Sequence, residues 1–459
     1  MKIHVKELGA IKEAMIDLDK PLTIFCGPNN TGKTYLAFII YALTRIKIGR
    51  SPLKINIAQL IENGFFELEL DGDQMFEYKS KTISELKLNL DTIFGISEEL
   101  AEQMFSNFEI LFDSDPEKCK VKISEIEIIE NISVNQNRFK LFKSKNSYLI
   151  RLEMIDGEDY SNILKNEMFE LIISSIIANR IAFFPISNAV IFPVERNSIF
   201  TFSKELSLSR NILVEQMQKL SKGEKLNPFD FIQTSSNRYP LAIRDGLNVS
   251  NDLQNIQKTK SEFFDIATEM EDKLLGGSLQ ITKEGDVQFV SIKNRGKKLP
   301  IHMTASIVKT LSSLVFYLKY IAEGRDLIII DEPEMNLHPD SQIVLTRIFA
   351  KLLSKGFRLL ISTHSDYIIR EFNNLIMISA NKVEIKELAN DFSYDISEAI
   401  PPSTVGCYYF NFLKQSAKQV TVKDIVVEDN GFEIESIDKE INAQNDRAMS
   451  LNYTINNQE

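Results

Sequence analysis

The sequence of 459 residues predicts an α/β fold built on a parallel sheet whose strands end at a phosphate-binding loop, and three stretches carry that expectation. Ile24 to Leu36, IFCGPNNTGKTYL, runs a short apolar strand into a glycine-bounded loop and then into an apolar helix. Asp326 to Asp340, DLIIIDEPEMNLHPD, sets two acids at the end of four apolar residues. Gly356 to Ser365, GFRLLISTHS, is another apolar strand, and it ends in Thr363 and His364.

Gly27, Gly32, Lys33 and Thr34 satisfy GxxxxGK[ST], in which glycines let backbone N–H groups close around phosphate oxygens and the next helix adds the positive end of its dipole. The ATP-binding segment is therefore Gly27, Pro28, Asn29, Asn30, Thr31, Gly32, Lys33, Thr34 and Tyr35. Lys33 reaches the β- and γ-phosphates and Thr34 ligates Mg²⁺. Leu327 to Ile330 is too short for a helix of its own and reads as a buried parallel strand. Asp331 emerges at its carboxyl end, placed to hold the Mg²⁺ water shell opposite Thr34, and Glu332 is placed to polarise the attacking water as general base. His364 is placed to hydrogen-bond the γ-phosphate or its attacking water. Three of the four histidines, His302, His338 and His364, fall in or beside these centres.

At 44% hydrophobic and 25% charged residues the chain suits a folded protein of roughly two to three domains. A net charge of -11 excludes a generally basic surface of the kind that neutralises nucleic-acid phosphates, leaving only a local groove for such a ligand. Cys26, Cys119 and Cys407 are odd in number and lack CxxC spacing, which points to a reducing compartment and to neither a disulfide framework nor a zinc site. The start MKIHVKELGAIKEA has no apolar core, and Leu171 to Val194 is broken by Asn179, Arg180, Pro185 and Pro193, so neither reads as a signal peptide or a membrane span. The expected location is the cytoplasm, with no membrane partner.

The order GPNNTGKT, IIIDEPEMNLHP and ISTHSD resembles the ABC-class ATPase heads of the bacterial AAA-domain, OLD-like (overcoming lysogenization defect) group, related to SMC and RecF proteins. The likeness covers the head segments, about half the chain. It implies an ABC/SMC-type P-loop ATPase head with ATP and Mg²⁺ as ligands, the phosphate loop as Walker A, Asp331 and Glu332 as the Walker B pair, Asn336 to Pro339 (hence Asn336 and His338) as the D-loop, and His364 as the switch histidine. LPIHMTASIVKTLSSLVFYL resembles the signature region and its helix, but the signature glycines are missing and Thr304, Ala305 and Ser306 stand there. A simple amphipathic helix with Ile307, Leu311, Leu314 and Leu318 on one face is the other reading of that segment. In such heads the signature binds the γ-phosphate held by another subunit, which implies a head-to-tail, ATP-sandwiched dimer.

In chain order, residues 1–45 form the first part of the head: a strand pair from Lys2 to Leu18 turning near Gly9, the loop, and a helix from Lys33 to about Arg45. Residues 46–179 read as an inserted, mixed and β-rich lobe, with FFELELD, FEYKSKTI, CKVKISEIEII and SYLIRLEM as short segments, a helix near Glu98 to Phe108, and no heptads. Within it RFKLFKSK, Arg138 to Lys145, is open between a nucleic-acid contact and a solvated strand face. Residues 180–202 read as a head strand, Ile181 to Val194, ending in Glu195, Arg196 and Asn197, which belong either to the nucleotide site or to a structural ion pair. Residues 203–277 read as a helical arm or lid, with helices near Arg210 to Leu220 and Leu253 to Leu275 stopped by Gly276 and Gly277. Residues 278–384 complete the head, beginning with a hairpin around Gly285 and Asp286 and a basic turn, Lys293 to Lys298. Residues 385–459 read as an acidic C-terminal lobe with strands VTVKDIVVE and FEIESID and a helix near Lys439 to Leu451.

OLD enzymes carry a Toprim nuclease after the head, marked by an acidic cluster with a DxD element. This tail has no DxD, so the expectation is an ATPase without its own nuclease. Two functions follow from the resemblance. One is the ATPase subunit of a two-component anti-phage defence system, resembling those of Septu-like or PARIS-like systems, which holds a separately encoded effector nuclease. The other is a RecF/SMC-like repair ATPase that binds DNA itself. A transporter subunit is disfavoured by the large insertions before Asp331.

Overall fold

The computed structural model describes residues 1–46, 51–112, 115–134, 137–155, 160, 169–186, 188–201, 239–292, 296–380, 382–413 and 419–456. Strands β1 (Lys2–Leu8) and β2 (Ile11–Asp17) form the anticipated antiparallel pair, with Val5 opposite Ala14. Their alternate residues Ile3, Val5, Ile11, Ala14 and Ile16 are buried, the pattern of a sheet with one covered face. Strand β3 (Leu22–Cys26) is buried throughout and leads through the glycine loop into the helix Lys33–Arg45, which buries every residue from Leu36 to Leu43.

The inserted segment holds β4 (Phe65–Glu69), β5 (Glu109–Phe112), β6 (Ile128–Val134), β7 (Asn137–Lys143) and β8 (Leu149–Met154). Two of the short segments named in the β-rich lobe are helical. FEYKSKTI lies inside the helix Gly72–Leu88, whose N-terminus is capped by Asp71 accepting from the N–H groups of Asp73 and Gln74, and Met75, Tyr78, Thr82 and Leu86 are buried at helical spacing. CKVKISE lies inside Pro116–Glu125, capped by Asp115 with proline at the first turn. Nor is residues 46–179 one separate body. Strand β5 pairs with β1 at the edge of the head sheet, and Phe94 and Phe105 pack beside Phe38 on the phosphate-loop helix. Strands β4 and β6–β8 form their own sheet in the order β4-β8-β7-β6 over a separate core.

The expected long strand at Ile181 to Val194 is shorter. The helix Phe169–Ala182 runs into it, and among its described residues only β9 (Ala189–Phe192) is a strand. Arg180, 6% exposed, donates to Glu130 of β6 at 2.6 Å and to Glu323 of the head at 2.8 Å, joining lobe to head. Within the expected arm, residues 202–238, and with them the helix near Arg210 to Leu220, lie outside the described residues. The described part does not project. The helix expected over Leu253 to Leu275 is broken between Leu253–Ile256 and Phe264–Met270, because Ser261 turns inward to bond the carbonyls of Leu318 and Lys319, the latter at 2.8 Å. Phe263, Ile266, Met270 and Leu274 then bury against the head, each contributing roughly 1.5–3 kcal/mol by removal from water. Gly276, at φ +64°, ends the element as expected.

Strands β10 (Gly277–Ile281) and β11 (Val287–Ser291) form the hairpin turning at Gly285, and β12 (Lys298–Pro300) adds a third strand; Lys293, Asn294 and Arg295 of the basic turn lie outside the described residues. Then come the helix Ser306–Tyr320, β13 (Leu327–Asp331), the helix Pro339–Ser354, β14 (Arg358–Ser362) and the helix Asp366–Ile378. The tail is no independent lobe. Its β15 (Val405–Phe412), not anticipated as a strand, and β16 (Val420–Ile425) enter the middle of the head sheet. FEIESID forms no strand: the side chain of Asn373 pairs with both backbone groups of Phe432 at 2.8 and 3.0 Å, and the terminal helix begins at Glu435 and runs to Asn456.

The nine-stranded head sheet has the order β5-β1-β2-β16-β15-β3-β14-β13-β9, parallel from β15 to β9. Its central strands are buried on both faces: Ile328 and Ile330 point into one core, Leu327 and Ile329 into the other. Cys26 and Cys407, remote in sequence, meet on neighbouring strands as free thiols with sulfurs 3.9 Å apart. No helix among the described residues is long and apolar enough to cross a membrane.

Candidate functional site

Strands β3, β13 and β14 end side by side, so the three sequence centres converge at their carboxyl ends. Gly27 turns the chain out of β3 at φ +132°, and a Cβ there would stand 2.2 Å from the carbonyl oxygen of Phe410 in β15. Only glycine fits. Gly32, at φ +90°, opens the helix with no side-chain cap, which leaves its first N–H groups for an anion. Lys33, 6% exposed, curls back to donate to the carbonyls of Gly27 at 3.0 Å and Pro28 at 2.9 Å. Burial holds its pKa below the usual lysine value, opposed by the charges of Asp331 and Glu332.

Asp331, 2% exposed, accepts from the Thr34 hydroxyl at 2.6 Å and from the Ser362 hydroxyl at 2.5 Å. The oxygens of Thr34 and Asp331 are thus a hard pair beside the phosphate loop, a donor set that fits Mg²⁺, which takes few protein ligands and keeps the rest for water and phosphate. Glu332 follows at φ +48°, its N–H donating to Ser362 O at 2.9 Å and its carboxylate 3.9 Å from His364 Nε2. Burial, aided by the Lys33 charge, lowers the His364 pKa to about 4, so the imidazole is neutral at physiological pH. Glu334 accepts from the Thr363 hydroxyl at 3.0 Å and the His364 N–H at 2.6 Å, fixing the turn that carries the histidine; burial pushes its carboxyl pKa up.

Lys33, Thr34, Asp331, Glu332, Ser362 and His364 line a cleft of about 720 Å³ that also takes in Asn29, Asn30, Thr31, Gly32 and Tyr35 of the loop, with Glu334 behind it. Gly27 and Pro28 serve it from behind, through the carbonyls that hold Lys33. Gly9 and Ala10 of the β1–β2 turn and Met104 of the inserted helix Glu98–Phe105 complete the wall, and no sequence pattern marks them. Glu334 and Ser362 were legible only as neighbours of the motifs. Arg196 resolves an open choice differently from either alternative: it donates to main-chain carbonyls of Pro193, Asp331 and Glu332, behind the acids rather than in the cleft.

Thr304, Ala305 and Ser306 do not line this cleft. Thr304 donates its hydroxyl to Ile301 O at 2.6 Å, and Ala305 and the exposed Ser306 begin the helix without a side-chain cap. Asn336, at φ +62°, donates to Thr310 Oγ1 at 3.2 Å and so ties the turn after the acids to this helix. His338 stands exposed at the start of Pro339–Ser354, 2.7 Å from Asp340.

A family model described as an AAA ATPase domain matches residues 1–369. The chain belongs to that family. It is an AAA-type ATPase, with a phosphate loop between β3 and the helix Lys33–Arg45. Solved structures similar to it include the SMC head domain from Thermotoga maritima, at 8% identity over 92% of this chain and 98% of that one, TM-score 0.30. Another is the Smc head domain with an extended coiled coil bound to the C-terminal domain of ScpA from Pyrococcus furiosus, at 13% identity over 96% and 98%, TM-score 0.34. A third is an SmcHead bound to the C-winged helix domain of ScpA, at 12% identity over 93% and 97%, TM-score 0.32. No curated protein matches the sequence.

Proposed function

We propose that this ATPase binds ATP with Mg²⁺ and hydrolyses it slowly, as the regulatory subunit of a bacterial anti-phage defence complex of the OLD-like group that holds a separately encoded effector, a nuclease, in the cytoplasm. The observation that carries the hydrolytic reading is the meeting of Lys33, Thr34, Asp331, Glu332 and His364 in one cleft. In this reading Lys33 leaves its two carbonyls for the β- and γ-phosphates, and Thr34 and Asp331 hold the metal, which when bound neutralises phosphate charge. Glu332 accepts the proton of the attacking water, and neutral His364 hydrogen-bonds the γ-phosphate or that water.

Ser306 and its helix are read as the signature that meets ATP in a second copy, in a head-to-tail dimer. The support is the exposed, uncapped start of that helix and the Asn336–Thr310 bond, which connects it to the turn after Glu332. The acidic net charge supports a protein effector over a nucleic-acid ligand. Against that stands the RecF/SMC-like, DNA-binding reading, whose support is Arg138 and Lys140, both exposed on β7 beside Phe142.

Tagged Glu332→Gln protein, purified from its host with ATP and Mg²⁺, tests this. ATP binding is expected intact and turnover slower by about 10²–10⁴-fold, the usual worth of a general base, with an effector protein co-purifying in stoichiometric amount. Wild-type turnover in that variant would overturn the role of Glu332. Duplex DNA with no protein partner would overturn the effector reading in favour of a DNA-binding ATPase.

A further inference from the structure

We propose that Arg196 is a positioning residue for hydrolysis: its guanidinium holds the main-chain carbonyls of Asp331 and Glu332 and thereby sets where the Glu332 carboxylate stands. The proposal rests on the reading of Glu332 as general base. Arg196 is 2% exposed. Its NH1 donates to Pro193 O at 3.0 Å and Asp331 O at 2.6 Å, and its NH2 to Glu332 O at 2.7 Å. A planar fork can bridge two successive carbonyls, which a single ammonium cannot do in the same way. Burying a cation against neutral carbonyls is costly where an apolar side chain would pack, so the site is built for more than filling space. Burial lowers its pKa to about 10, opposed by the charges of Asp331, Glu334, Glu332 and Glu195, and it stays charged at neutral pH.

The backbone of Glu332 explains what the fork is for. At φ +48° it occupies a region that a residue with a side chain rarely adopts and that must be held by its surroundings. Its N–H is held by Ser362 O of β14 at 2.9 Å, and its C=O is held by Arg196. Without the second anchor the peptide is free to relax, and the carboxylate leaves its place 3.9 Å from His364. A displacement of about 1 Å at a reacting group costs about 10²-fold in rate.

The test compares wild type, Arg196→Met, Arg196→Lys and each change combined with Glu332→Gln, reading ATP affinity, kcat and thermal unfolding on the full chain. Expected in Arg196→Met is a kcat lower by about 10²-fold with ATP affinity within about threefold, and no further loss in the Glu332→Gln background, because a residue acting only through Glu332 cannot add to its removal. Arg196→Lys keeps the charge, loses the fork, and is expected to fall by at least about tenfold. Turnover near wild type in a folded variant, matched losses of affinity and turnover, or additive loss with Glu332→Gln would each overturn the proposal. If neither variant folds, Arg196 is structural and the proposal falls. A wild-type protein that binds ATP but never hydrolyses it refutes the hydrolytic reading itself, and the positioning role with it.

Discussion

The hydroxyl of Thr34 donates to Asp331 Oδ2 at 2.6 Å, across 297 residues of chain. It joins the first residues of the phosphate-loop helix to the end of β13, and Ser362 holds the other carboxylate oxygen from β14. Two strands and the phosphate-loop helix thus position one carboxylate before any ligand arrives, so little ordering is left for the metal to drive.

Thr34→Val keeps the shape of the side chain and removes its oxygen. The Mg²⁺ concentration needed for half-maximal hydrolysis should rise by about 10- to 100-fold, the usual cost of disturbing a metal's supporting oxygens. A magnesium titration of turnover checks it; an unchanged requirement would take Thr34 out of the metal site.

Lys33→Ala should weaken ATP binding by about 10²-fold or more, since charge-assisted bonds to phosphate are worth roughly 1.5–3 kcal/mol each. The nucleotide-free protein should not lose stability, because the lysine is 6% exposed and burial already penalises its charge. Calorimetric titration and thermal unfolding of the same sample separate the two effects. A large drop in Tm would show that the buried ammonium stabilises the loop.

Gly27→Ala should disturb both the fold and the site. Its Cβ would meet Phe410 O at 2.2 Å, so β15 or the loop must move, at a cost of about 1–3 kcal/mol. Denaturant unfolding should show that loss together with weakened ATP binding; normal stability would mean that β15 does not abut the loop in solution.

Asp326 offers a pH signature away from the cleft. Burial pushes its carboxyl pKa up to about 7, while the Tyr317 hydroxyl donates to it at 2.5 Å and the Glu323 N–H at 3.1 Å. In the unfolded chain the group ionises near 3.9, to the usual approximation. Between about pH 4 and 7 the native state therefore holds the extra proton, and stability declines as pH rises through that window and then levels. Asp326→Asn should abolish this decline, so the Tm difference, variant minus wild type, should grow from pH 5 to pH 7.5. A pH-independent difference would place the carboxyl's pKa near its ordinary value.

The core of the site was legible from consecutive residues. The strand, glycine loop and helix from Ile24 to Arg45, and the buried ends of β13 and β14, are local patterns in which neighbours in sequence supply the turn, the dipole and the charge. FEYKSKTI, placed among the segments of a β-rich lobe, is helical, and the cap that starts its helix, Asp71, lies outside that stretch.

Local residue patterns were therefore enough for the phosphate loop, the acid pair after β13, the histidine after β14 and the class of fold that brings such ends together. Tertiary structure alone decided that β15 and β16 from the tail fill the sheet between β2 and β3, that β5 leaves the insertion for its edge, and that Met104 walls the cleft. It also decided that Arg196 and Glu334 anchor the backbone on which Glu332 and His364 stand. The physical reason is range. A loop's hydrogen bonds close within a few residues, whereas a buried strand or a carbonyl clamp takes its partners from segments tens to hundreds of residues away, and their pairing is set by which surfaces must leave water together.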